Sequence, residues 1–169
     1  VNDYIVVPCD RDNIRGVVEA NHYSGSINGV ISDYCFALLY KGQVVGGMIF
    51  GRVAMHNAWK KYAERESDIT ELRRLACIDD TPPNTESFFI GKALRWLSQN
   101  TDLKIVVSYA DANYNHSGII YRASNFEYLG LTPSGRVIEY RGKKFHDKAI
   151  RTKYKGVIKP FAQEIKNAL

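Results

Sequence analysis

Cysteine is scarce. Cys9, Cys35 and Cys77 are the only three, an odd and widely spaced set that suits neither a disulfide framework nor metal-ligand spacing, so they read as reduced and structural. Histidine is equally thin: His22, His56, His116 and His146 are too scattered to define a metal site. Long apolar runs are missing, and a stretch such as Ile105-Val106-Val107 falls far short of the ~20 residues that span a bilayer. The opening residues carry no basic-then-apolar leader, and with the cysteines reduced the expected setting is cytoplasmic, with no membrane partner expected. Repeats and low-complexity segments are also wanting. What remains is an ordinary globule, 45% apolar and 24% charged over 169 residues. It is large enough to bury a core and short enough to expect one domain over 1–169.

Charge is unevenly distributed. Residues 136–169 hold ten basic side chains, among them Lys143, Lys144, Lys153 and Lys155, against Glu139, Asp147 and Glu164, a net +7. Residues 1–135 hold thirteen basic and fifteen acidic groups, a net −2. Tyr140, Phe145, Tyr154 and Phe161 interleave the basic segment. That mixture suits a polyanion, since ammonium and guanidinium groups displace phosphate counterions and aromatic rings give bases a stacking face. A solvated surface that aids solubility is the plainer alternative.

Periodicity and turn chemistry predict an α/β chain. Tyr4–Val7 reads as a strand ended by Pro8, and 11–21 as a helix capped by Asp10 with Ile14, Val17 and Val18 inward. Cys35–Tyr40 and Val44–Phe50 flank Lys41-Gly42-Gln43 as a hairpin. Residues 54–66 look helical and amphipathic. Ile69–Ile78 reads as a strand stopped by Asp79-Asp80-Thr81-Pro82-Pro83, 87–99 as the strongest helix, and Lys104–Ala110 as a central, buried strand. A short helix near 117–125 follows. Strands are expected at 127–131, 136–141 and 144–149, then a last helix opened by Pro160. The strand–helix–strand at 69–110 implies a parallel pair with a right-handed crossover, so the sheet is mixed.

Three places carry candidate chemistry. The start of the helix near 87 presents backbone N–H groups and a positive dipole end, an anion site to which Ser87 adds a hydroxyl; a simple cap is the bland reading. Glu71-Leu72-Arg73-Arg74-Leu75 sets adjacent guanidiniums on a strand, where alternation sends one to each face; pairing with Glu71 is the structural alternative. The end of the strand near 105 reads Ser108-Tyr109-Ala110-Asp111, and ligands gather at such ends. An Asp there can hold an amine or take its proton, and a Tyr can hydrogen-bond to a leaving thiolate.

Together with Asn21-His22-Tyr23-Ser24, Ser87-Phe88-Phe89-Ile90-Gly91-Lys92-Ala93-Leu94 and Gly118-Ile119-Ile120-Tyr121-Arg122-Ala123-Ser124-Asn125-Phe126, these blocks resemble the Mom family of bacteriophage DNA-modification proteins over roughly 20–131. The resemblance implies a GCN5-type N-acyltransferase-like fold, with a mixed central sheet flanked by helices. It also implies conversion of adenine in DNA to its N6-carbamoylmethyl derivative, protection of phage DNA from host restriction, and acetyl-coenzyme A as acyl source. On that resemblance, Thr85, Glu86 and Ser87 correspond to the turn that holds the coenzyme pyrophosphate, although Ser87 and Phe89 stand where general acyltransferases carry glycine. Tyr121 matches the general-acid tyrosine, and Arg74, Asp111, His22 and Tyr23 match blocks shared within the family. Arg73 and Ser108 are supporting candidates on the cofactor side and Tyr109 on the base side, with no metal assigned. An acetyltransferase acting on a protein, a transfer RNA or a small amine is the second expectation. A non-catalytic DNA-binding protein is the third.

Overall fold

Lys41 and Gly42 both adopt positive φ, 50° and 81°, the turn geometry that lets two strands fold back without splaying. The strands they join are β2 (Tyr34–Tyr40) and β3 (Gln43–Gly51), the expected hairpin one residue longer at each outer end. The computed structural model describes residues 3–110, 119–129, 137–141, 143–146, 153–154, 157–158 and 160–168. It falls into two compact units, Val1–Tyr128 and Leu129–Leu169.

In the first unit, β1 (Tyr4–Cys9), β2, β3, β4 (Ile69–Cys77) and β5 (Ile105–Ser108) form one sheet in that order. β1 to β4 are antiparallel, and β4 and β5 are parallel across the crossover helix α2 (Thr85–Asn100). Helix α1 (Arg11–Asn21) starts at Asp10, whose amide donates to Asn13 Oδ1 at 3.0 Å. A short α3 (Ile119–Ala123) follows β5. The sheet has two apolar faces. On one, Phe36, Leu38, Met48, Phe50 and Leu72 pack with Phe89, Ile90, Ala93 and Leu97 of α2. On the other, Cys35, Ala37 and Ile49 meet Ile14 and Val18 of α1, together with Ile27 and Val30. Gly47 lies beneath α1, where a Cβ would come within 2.7 Å of Val18 Cγ2, so the missing side chain sets how closely the helix sits.

Four expectations are corrected. β1 runs through Pro8, which pairs with Phe36; an edge strand tolerates the lost N–H on its open side. Residues 54–66 form no continuous helix, only a 3-10 turn at Ala58–Lys61 with a second at Glu66–Asp68, because Asn57 enters the first in a left-handed conformation. β5 is not central: among the described residues it pairs only with β4. Its β-branched run is half-buried. Residues 127–129 form no strand, and 130–131 lie outside the described residues.

In the second unit, β6 (Val137–Tyr140) and β7 (Lys143–His146) pair antiparallel around Arg141 at φ 51°. β8 (Lys153–Tyr154) and β9 (Val157–Ile158) form a second small pair, and α4 (Pro160–Ala168) opens on its proline. Arg141 bridges to Glu164 at 2.7 Å. Lys143, Lys144 and Lys153 fall on these strands; Lys155 lies outside the described residues.

Candidate functional site

Pairing between β4 and β5 ends at Leu72↔Ser108, while β4 continues to Cys77. At the same level the β3–β4 register slips: Ile49 pairs with Arg74 and Phe50 with Leu72, so Arg73 is bulged out. The bulge defeats simple alternation. Arg74 falls with Ile49 on the α1 face, and Glu71 with Gly51 on that same face, instead of the two arginines taking opposite sides. Arg73 Nε pairs with Glu71 Oε2 at 3.2 Å, which is the structural alternative weighed for this run.

The α1 face is rich in polar groups. Glu71 is buried, accepts the Ala54 amide at 3.0 Å, and is pushed above the ordinary carboxylate range by that burial. Arg74 donates through Nη1 to the Arg73 carbonyl at 2.8 Å, but its Nε is buried without a hydrogen-bond partner among the described residues. Burial and the neighbouring Arg73 charge lower the Arg74 pKa, and nearby Tyr23 and Glu71 oppose the change. Tyr23 is half exposed and lies against His22, with ring centroids 4.2 Å apart. His22 is set by its own loop: Nδ1 lies 2.8 Å from Ser24 Oγ and accepts the Ser24 amide at 3.1 Å. Arg11 holds the following segment through the Ile27 and Val30 carbonyls and, at 3.0 Å, Ser32 Oγ. Burial raises the Tyr109 pKa, and neighbouring Tyr62 and Glu71 push it the same way.

The α2 face carries the second half. Ser108 lies level with Leu72 on this side, and its buried Oγ is the only other orphaned side-chain polar atom among the described residues besides Arg74 Nε. Tyr121 packs on the α2 core beside Phe126, 5.5 Å between rings. At the α2 start, Asn84 is left-handed and makes no side-chain cap. The Thr85 amide and hydroxyl both donate to the Pro82 carbonyl, and the Ser87 hydroxyl donates to the Asn84 carbonyl at 3.0 Å. The Ser87 hydroxyl is therefore engaged by the backbone of the preceding turn and caps no amide. The Glu86 and Ser87 amides have no described acceptor and remain the anion-binding feature of this helix. Glu86 itself bears on Cys77, whose thiol burial pushes up to about 12. Cys9 reaches about 11 for the same reason, as structural thiols should.

Asp111 lies outside the described residues. The structure thus brings Arg74, Tyr23, His22, Tyr109, Arg73 and Glu71 to one face, and Ser108, Tyr121 and the α2 start to the other. Tyr62 and the burial of Glu71 are additions. The Trp59-Lys60-Lys61-Tyr62 pattern, basic and aromatic like the C-terminal segment, is the signal that points to Tyr62. A groove of about 440 Å³ lined by Tyr34, Arg65, Asp68, Trp96 and Asp102 lies at the other end of β4.

A sheet of this order, opened between its parallel strands beside a crossover helix, has close counterparts among solved structures. An aminoglycoside acetyltransferase from an uncultured soil metagenome, bound to sisomicin, superposes with a TM-score of 0.55 at 14% identity, covering 79% of this chain and 95% of that one. An aminoglycoside N-acetyltransferase in complex with CoA gives 0.55 at 15%, covering 82% and 93%. An integron cassette protein from the V. cholerae mobile metagenome gives 0.56 at 13%, covering 83% and 94%. The fold is that of the GCN5-type N-acyltransferases. Within that class, the chain belongs to the Mom protein family, whose model matches residues 3–167. It is 28% identical over 137 residues to the methylcarbamoylase Mom of Escherichia phage Mu, covering 79% of this chain and 56% of the phage Mu protein. The chain therefore spans little more than half the length of that relative.

Proposed function

We propose that this Mom-family, acyltransferase-like protein modifies DNA, converting adenine to its N6-carbamoylmethyl derivative and so shielding phage DNA from restriction. The observation that carries the reading is the parting of β4 and β5 at Leu72↔Ser108, with an orphaned polar atom on each face, Arg74 Nε and Ser108 Oγ. Buried polar groups without partners are rare and costly, ~1–3 kcal/mol each, and a ligand reaching both faces would satisfy them.

The α2 face fits acetyl-coenzyme A. The Glu86 and Ser87 amides would hold its pyrophosphate, Ser108 would hydrogen-bond near the thioester, and Tyr121 would hold a proton at its Oη on the sulfur side. When bound, the coenzyme supplies an activated two-carbon unit. The α1 face suits the base. Tyr23 and Tyr109 offer stacking surfaces for an adenine taken out of the duplex, and the Arg74 guanidinium on β4 lies near enough to Tyr23 to feel its charge. Asp111, at the tip of β5 in sequence, would orient the exocyclic amine. That amine is a weak nucleophile because its lone pair is delocalised into the ring, so orientation and exclusion of water matter more than a strong base. A carbamoylmethyl group joins N6 through its methylene carbon and ends in an amide. Starting from an acetyl thioester, the full reaction therefore needs both a nitrogen source, which displaces the thiol, and a two-electron oxidant, because the methyl carbon must lose a hydrogen to bond N6. Direct acyl transfer would give N6-acetyladenine instead.

The test is mass spectrometry of nucleosides from plasmid DNA in cells expressing the chain. The parent is expected to yield N6-carbamoylmethyl-deoxyadenosine. Asp111→Ala and Tyr121→Phe are each expected to abolish it while leaving DNA binding nearly intact, and full activity of either variant removes that residue from the site. A second reading, acetylation of a protein, a transfer RNA or a small amine, is favoured by the likeness to aminoglycoside acetyltransferases. Neutralising Lys143, Lys144, Lys153 and Lys155 separates the two, because DNA modification should fail and small-amine acetylation should persist.

A further inference from the structure

Residues 52–62, which follow β3, hold three permanent cations, Arg52, Lys60 and Lys61, and no carboxylate. All three are exposed, and none has an acidic partner within ion-pair distance among the described residues. The nearest acids along the chain, Glu64 and Glu66, follow Tyr62, and Asp68 is occupied by Arg65 at 3.1 Å. Lys60 Nζ lies 5.8 Å from the Trp59 ring centroid. Met55 is 44% exposed, an unusual place for a long apolar side chain in a cationic loop.

The segment is also held in shape, and the atoms that hold it belong to the site. Glu71 Oε1 accepts the Ala54 amide at 3.0 Å, and Arg73 donates to the Arg52 carbonyl at 3.2 Å. Asn57, at φ 60°, starts the 3-10 turn, whose Lys60 amide returns to the Asn57 carbonyl at 3.1 Å. At its far end Tyr62 lies close enough to Tyr109 to raise its pKa. One end of a cationic, aromatic loop is thus tied to β4, and the other lies beside the end of β5.

We propose that residues 52–62 form a DNA-gripping surface on the same unit as the reaction site. Arg52, Lys60 and Lys61 neutralise phosphates of the strand that delivers the base. Trp59 gives a neighbouring base a stacking face, and Met55 is the apolar side chain that fills the gap left in the stack, as wedge residues do in DNA-deforming proteins. The inference rests on DNA being the substrate, and it is independent of the charged C-terminal segment.

The experiment is equilibrium binding of the full chain to an adenine-containing duplex, followed by fluorescence anisotropy over a salt series. Each phosphate contact contributes a slope of about 0.9 in log affinity against log salt. Replacing Arg52, Lys60 and Lys61 together by alanine is expected to lower that slope by about 2 to 3 and weaken binding at least about tenfold at moderate salt. Trp59→Phe is expected to remove the DNA-induced change in tryptophan fluorescence, a readout that stays available if the triple variant folds poorly. An unchanged slope and an unchanged fluorescence response, with the parent binding DNA normally, would overturn the inference and leave the DNA reading standing. A parent chain with no salt-dependent DNA affinity would overturn the DNA reading itself. A slope lost for transfer RNA but kept for DNA would contradict the choice of partner.

Discussion

Glu71 shows how one residue can be structural and chemical at once. Burial raises its pKa from the ordinary 4.5, outweighing the Ala54 amide and the Arg73 and Arg74 guanidiniums, which lower it. A carboxyl whose folded pKa exceeds its unfolded value binds its proton more readily in the folded chain. Its contribution to stability is therefore lost as pH rises from about 4.5 through the raised value. Glu71→Gln keeps an acceptor for the Ala54 amide and removes the charge. The stability of this variant minus that of the parent is expected to increase with pH across the window and then level off, as read from urea unfolding at stepped pH. A difference that falls with rising pH would show the ion pair with Arg73 to dominate instead. At this scale the sequence names candidate residues but is a poor guide to where they point. Arg73 and Arg74 stand out as guanidiniums on a strand, but only the register slip at Ile49/Phe50 brings Arg74 and Glu71 to one face, and no local pattern in Glu71–Leu75 encodes a bulge.

Among elements, those with their own chemical punctuation are the legible ones. Asp10 and Asn13 announce α1, Lys41-Gly42 the hairpin, and Pro82-Pro83 the stop before α2. β5 is misread as central because β-branched runs report burial of faces, and strand order is set by distant partners. The stretch 54–66 is misread as helix because its apolar spacing is helical, while Asn57 allows only a short 3-10 turn. Glycines show the same division between local and distant causes. A Cβ on Gly51 would come within 1.9 Å of the Ile31 carbonyl oxygen, backbone that cannot yield cheaply, so Gly51→Ala is expected to destabilise the chain by about 3 kcal/mol. Gly16, inside α1 with nothing within 4 Å of a Cβ, is expected to gain about 0.5–1 kcal/mol on replacement by alanine. Denaturant midpoints of the two variants check both signs, and nothing in the sequence around either glycine distinguishes them.

Over the whole molecule, charge and fold divide the work. The first unit holds the parted strands and both sets of polar groups. The second holds the whole basic excess, with Lys143, Lys144 and Lys153 on its small strands. The family and its fold are readable from blocks along the chain because those blocks sit where β4, α2, β5 and α3 converge. The cationic 52–62 loop is hidden by a count that averages residues 1–135 to a net −2. The most direct measurement is nuclear magnetic resonance of the isotope-labelled full chain, titrated first with coenzyme A and then with a short adenine-containing oligonucleotide. The account predicts that coenzyme A shifts the Glu86, Ser87 and Ser108 amides, and that the oligonucleotide shifts Tyr23, Arg74 and Tyr109. Perturbations confined to the groove around Arg65 and Trp96, or none at the β4–β5 parting with either ligand, would contradict it.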